Sequence, residues 1–164
     1  MPLDLLGVCR CGAVRFRAES RAPCPYQLCY CSICRKTAGG GGFAINLLAD
    51  AATLRVEGRD AIAVFHAPLR RDAGGCETSR GERRFCRLCA TALWVFDPDW
   101  PQLIHPFASA IDTDLPRPPE RAHILLASKA AWVDLVIGPR DQCFDGYPDQ
   151  SIEAWHKARG LWLD

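Results

Sequence analysis

The sequence predicts a mainly β fold in one domain spanning residues 1–164, and three observations point there. Short stretches of alternating or β-branched character are separated by glycine, proline or aspartate at close intervals. Helical patterning is scarce. Seven of the ten cysteines fall in three tight clusters within the first ninety residues, a pattern that suits metal staples between short strands.

In chain order, residues 13–18 (Ala-Val-Arg-Phe-Arg-Ala) alternate apolar and basic side chains, which predicts a half-buried strand with Arg15 and Arg17 on its wet face. Further strands are expected at residues 43–48, 53–57, 61–66, 91–96, 103–107 and 122–126. Two helical segments stand out. Ser32 is placed to cap one turn over Cys34 and Arg35, and Ser151 to Arg159 has a serine cap, a stop at Gly160, and Ile152 and Trp155 to bury. The run Gly39–Gly42 reads as a turn, or as bare backbone for close approach of a ligand. Residues 72–81, polar and small, read as a surface loop, and Pro116–Pro119 as a stiff connection within the domain.

A length of 164 residues suffices for a substantial core without crosslinks. With 20 lysines and arginines against 19 acidic residues, the net charge of +1 offers no electrostatic case for a nucleic-acid or membrane partner. No basic leader or long apolar run is visible, so a cytoplasmic protein is expected. In that reducing setting cysteines serve metals or thiol chemistry more often than disulfides.

Cys29, Cys31 and Cys34 form a C-x-C-x-x-C loop whose neighbours are badly placed for disulfide geometry but well placed to supply three corners of a zinc tetrahedron. Cys86 and Cys89 form a C-x-x-C knuckle that needs a second pair, and Cys9 and Cys11 are the matched pair left. Four thiolates so drawn make a structural zinc joining the first strand to a distant hairpin, while the three-thiolate loop makes a second zinc site with an open corner, about two zinc ions per chain in all. A redox role for Cys86 and Cys89 lacks the βαβ surroundings such pairs have. Cys24, Cys76 and Cys143 have no partner spacing, Cys76 reading as an exposed thiol. His66, His105, His123 and His156 each stand alone and read as structural.

These motifs carry a resemblance. Gly7-x-Cys9-x-Cys11-Gly12-Ala13-Val14-Arg15-Phe16, Cys29-x-Cys31-x-x-Cys34-Arg35-Lys36, Arg84-Phe85-Cys86-x-x-Cys89-x-Thr91-x-Leu93 and His123-Ile124-x-x-x-Ser128-Lys129-x-x-Trp132 resemble the glutathione-dependent formaldehyde-activating enzyme family, which includes centromere-protein-V-like members. The resemblance covers most of residues 7–135 and departs at Ala90, where the family has glycine, and at Arg10 and Tyr30. It implies coiled antiparallel β-sheets around the structural zinc on Cys9, Cys11, Cys86 and Cys89. It also implies a looser zinc on Cys29, Cys31 and Cys34 with glutathione nearby, and an enzyme that makes or breaks S-hydroxymethylglutathione, a zinc-dependent carbon–sulfur lyase or synthase. Arg35 and Lys36, beside the ligands, are then candidates to hold glutathione carboxylates, or are a solvated helix turn. The alternative is a non-catalytic, zinc-stabilised module that binds glutathione or a protein. Separating the two requires an acid–base group within reach of the open corner, which the sequence does not show.

Overall fold

A computed structural model of the protein describes residues 1–70 and 75–164. Its strands are β1 (Leu3–Val8), β2 (Arg15–Ser20), β3 (Gln27–Cys29), β4 (Ala44–Ile45), β5 (Ala49–Asp50), β6 (Arg55–Glu57), β7 (Ile62–Arg70), β8 (Cys76–Cys86), β9 (Ala92–Phe96), β10 (Leu103–Pro106), β11 (Ala122–Ile124) and β12 (Gln142–Cys143); the α-helices are α1 (Ser32–Ala38) and α2 (Ile152–Ala158). They build three sheets, ordered β1-β2-β6, β5-β10-β9-β8-β7 and β12-β11-β3-β4. Pairing is antiparallel except around β11, which runs parallel to both β3 and β12. Among the described residues no helix is long and apolar enough to cross a membrane.

The predicted alternation holds in β2, where Phe16 and Ala18 are buried while Arg15 and Arg17 face water and Arg17 pairs with Asp4 on β1. Phe16 meets Trp94 at 5.0 Å between ring centroids, so the three-stranded sheet closes over β9 with Leu5, Val14, Leu93 and Ile104 in one core. A second core forms where Tyr26 stacks on Trp155 at 3.6 Å, pinning α2 to the start of β3. His156 completes that anchor: its Nδ1 donates to the Ile152 carbonyl at 2.8 Å and its Nε2 accepts from the Cys24 N–H at 3.1 Å. Both ring nitrogens are satisfied, which is the structural role expected of it.

Several sequence expectations are corrected. The loop expected at residues 72–81 is strand from Cys76 onward; residues 72–74 lie outside the described residues. β8 escapes a period-2 reading because most of its residues on both faces are polar and exposed or half-buried, so no apolar face marks it. The strand expected at residues 43–48 shrinks to β4, with isolated bridges at Asn46 and Leu48, and β5 begins only beyond it; β4 and β5 are each held by partners distant in sequence. Leu125, at φ 58°, ends β11 before residue 126. Strands β1, β3 and β12 carry no legible alternation and form through pairing. β7 runs past residue 66 through Pro68, which it tolerates because β7 is the sheet's edge and a register shift falls between His66 and Pro68.

Candidate metal centres and the cleft beside them

The first centre sits where two hairpin tips meet. Between β1 and β2, the Cys9 N–H bonds the Val14 carbonyl at 3.0 Å, the Gly12 N–H bonds the Cys9 carbonyl at 2.8 Å, and Gly12 takes φ 79°, so the loop turns both thiols to one side. Between β8 and β9, the Cys86 N–H bonds the Thr91 carbonyl at 2.9 Å and the Ala90 N–H returns to the Cys86 carbonyl at 2.7 Å. That closure puts Ala90 at φ 61°, the left-handed region where an alanine Cβ is strained by about 1–2 kcal/mol relative to glycine. The Thr91 hydroxyl locks the two loops together, accepting from the Arg10 N–H at 3.1 Å and lying 3.2 Å from the Cys89 sulfur.

All four sulfurs of Cys9, Cys11, Cys86 and Cys89 lie within 4.8 Å of one another. Cys9 to Cys11 is 3.5 Å and Cys11 to Cys86 is 3.8 Å; sulfurs on a tetrahedron with zinc–sulfur bonds of about 2.3 Å sit ~3.8 Å apart. The donor set therefore fits zinc. Cys9 and Cys86 are buried in the first core, and the Thr91 hydroxyl and backbone hold the Cys89 thiol down at about 5, so part of the ligand charge is formed by the protein alone.

The second centre is Cys29 at the end of β3 with Cys31 and Cys34 at the start of α1, their sulfurs also within 4.8 Å of one another. Cys31, not Ser32, caps α1: its sulfur accepts from the Cys34 N–H at 3.2 Å, and Ser32 is the first helical residue. Hydrogen bonds from the Cys29 and Cys34 thiols, with backbone donors behind them, hold Cys31 at about 2, while Cys29 is pushed upward by the same contacts and by burial. One corner is thus ready as thiolate and the others must shed protons to join it.

This cluster lines a cleft of about 670 Å³, within the size range of small-molecule sites. Its floor is one face of the five-stranded sheet, where the register sets Arg83 on β8, Val95 on β9 and His105 on β10 side by side. Arg83 reaches across to the thiols, donating to the Cys34 sulfur at 3.5 Å and to the Thr37 hydroxyl at 3.3 Å. The Asn46 side-chain oxygen also approaches the Cys34 sulfur, at 3.9 Å. Trp100 and Tyr147, 59% and 76% exposed, stand at the cleft's rim, and Ile152 brings the start of α2 into its wall.

Of the residues singled out in the sequence, the seven cysteines come together as two groups. Arg35 and Lys36 do not line this cleft; Lys36 borders a neighbouring groove with Ser32, Ile33, Phe65 and Leu69. Two of the four glycines answer to the protein's own packing: a Cβ on Gly39 would lie 2.2 Å from the Phe43 carbonyl oxygen, and one on Gly42 2.3 Å from the Val133 side chain. Arg83, Asn46, Trp100 and Tyr147 were not singled out in the sequence, and His105, read there as structural, lines the cleft. The tail beyond residue 135, which carried no motif, adds β12 to a sheet and Tyr147 and Ile152 to the cleft.

Comparison with known proteins finds related sequences. A family model described as glutathione-dependent formaldehyde-activating enzyme matches residues 4–127. A Halomonas elongata protein, provisionally named a glutathione-dependent formaldehyde-activating enzyme, is 59% identical over 157 residues, 96% of this chain and 97% of its own length. The crystal structure of a Rhodobacter sphaeroides protein is similar over 68% of this chain and 91% of its own, at 23% identity and a TM-score of 0.49. On the family match and the full-length relative, the chain belongs to the glutathione-dependent formaldehyde-activating enzyme family.

Proposed function

We propose that the protein is a zinc-dependent carbon–sulfur lyase or synthase that condenses formaldehyde with glutathione to S-hydroxymethylglutathione in the cleft beside Cys29, Cys31 and Cys34. The observation that carries this is a three-thiol cluster, one ligand short of a tetrahedron, opening onto a cleft of ligand size that also holds a cation. A zinc ion on three thiolates supplies a position for a small thiol and favours its thiolate form, while its net charge of about −1 makes it a weak Lewis acid. The remaining work falls to the protein. Arg83 offsets the negative charge gathered on the sulfurs, and its place between Cys34 and the sheet leaves it able to meet a glutathione carboxylate as well. Ile33, Leu69, Val95 and Ile152 give the cleft apolar walls that limit competing water. Cys9, Cys11, Cys86 and Cys89 hold the structural zinc, and ten cysteines with no disulfide among them suit a cytoplasmic setting.

The chemistry closes on itself: the sulfur–carbon bond forms, the carbonyl π pair moves to oxygen, and the proton released by the thiol is matched by the one oxygen takes up. The test is the rate at which ¹³C-formaldehyde is incorporated into glutathione, over the rate without protein. Zinc-loaded wild type should exceed that background, and Cys31→Ser should lose at least 100-fold of the excess because the thiol is no longer positioned against the aldehyde. Glutathione binding with no excess rate would leave a binding module instead.

A further inference from the structure

We propose that His105 is the acid–base residue of the reaction: its Nε2 takes the proton given up by the glutathione thiol and returns it to the oxygen of the new hydroxymethyl group. The inference rests on the condensation proposed above. Its ground is the placement of His105 at the cleft. Alternation along β10 sends Ile104 into the first core and turns His105 to the opposite face, the one that forms the cleft floor. The register puts it in one row with Val95 and Arg83, so that Arg83, which touches Cys34, lies two strand spacings away, about 10 Å between backbones. A second route joins it to the thiols through consecutive residues: the Asn46 side chain approaches Cys34, and the Leu47 carbonyl accepts from His105 Nδ1 at 3.0 Å.

That last bond fixes the chemistry. A carbonyl can only accept, so Nδ1 carries a proton, and in the neutral ring Nε2 then holds the lone pair. His156 and His123 differ, since both ring nitrogens of each are engaged, His123 by Tyr30 at 2.9 Å and Asp141 at 3.5 Å. His66 bonds the Ser79 carbonyl but does not line the cleft. Among the described residues, His105 is the histidine that lines the thiol cleft, and no protein partner takes its Nε2. Burial lowers its pKa from the ordinary histidine value, partly offset by the Leu47 hydrogen bond and by Asp97, so the neutral, proton-accepting form holds at neutral pH. The other charged or titratable groups facing the cleft are Asp97, Arg83, Tyr147 and the thiols themselves. Atoms balance without another reagent: the thiol loses a proton to Nε2, sulfur bonds to carbon, and oxygen recovers the proton from Nε2.

The experiment compares wild type, His105→Ala and His105→Gln in the ¹³C-formaldehyde assay, with melting temperature and glutathione affinity measured alongside. His105→Ala should lose at least ~100-fold of the excess rate, keep glutathione affinity within threefold, and regain at least tenfold on adding imidazole, which a merely structural role would not allow. Wild-type excess rate should fall as the solution is acidified below the ordinary histidine range. In ¹⁵N-histidine-labelled wild type, assigned by the signal missing from His105→Gln, the His105 ring should be neutral with hydrogen on Nδ1, and its Nε2 signal should move when glutathione is added. A His105→Ala rate within threefold of wild type, a loss that imidazole does not restore, or an unmoved Nε2 signal would overturn the assignment. A wild type no faster than background overturns the condensation itself, and this role with it.

Discussion

Cys86→Ser should lower the melting temperature by about 10 °C or more, while Cys31→Ser should melt within a few degrees of wild type. The asymmetry follows from what each cluster ties together. Cys86 is fully buried in the first core, and with Cys9, Cys11 and Cys89 it joins hairpin tips more than seventy residues apart in sequence. Breaking such a staple releases a long loop and leaves buried thiols without their metal, a loss of about 3–5 kcal/mol in a domain where each kcal/mol is worth ~2–4 °C. Cys31 belongs to a local loop of six residues, and serine at its position can still cap α1 by accepting from the Cys34 N–H. Paired circular dichroism melts decide it. Equal melting temperatures would mean that the structural and the open roles have been exchanged, or that neither cluster is structural.

Stepwise chelation should release two zinc ions in two separated steps, the first from Cys29, Cys31 and Cys34. Four protein thiolates would fill the coordination shell of a zinc at the first centre, so a chelator would have to displace a protein ligand to enter it; three would leave a position at which the chelator can bind directly. Native mass spectrometry during titration with a chelator reads the two losses as separate masses. Loss of both ions together, or one ion throughout, would contradict two classes of site.

How much of this was legible in the sequence depends on the range over which each feature acts. The two cysteine clusters were legible because metal ligation imposes short spacings that survive whatever the rest of the chain does, and the strand at Arg15–Ser20 because one face is buried and the other wet. Even the cost at Ala90 could be anticipated, since the position calls for left-handed backbone. Arg83 and His105 were illegible for the opposite reason: each reaches the cleft through the register of strands that carry no marker of their neighbours. Arg35 and Lys36 drew attention by adjacency to Cys34, but consecutive residues on a helix point in different directions, and the cation that meets the sulfur comes from β8. Tyr147 belongs to a tail whose strand is two residues long and forms only by pairing with β11.

The central claim is that a glutathione thiol enters at Cys29, Cys31 and Cys34 and ionises there. Calorimetry of glutathione binding to the zinc-loaded protein, in two buffers of different ionisation enthalpy near neutral pH, counts the proton displaced from a thiol whose free pKa lies above about 8. The account predicts close to one proton released by His105→Gln, in which no cleft base retains it, none by a variant that also carries Cys31→Ser, and none with S-methylglutathione, whose thioether has no proton to lose and binds more weakly. Equal binding of both ligands by His105→Gln with no proton released would contradict it, and would place the thiol away from the three-cysteine cluster.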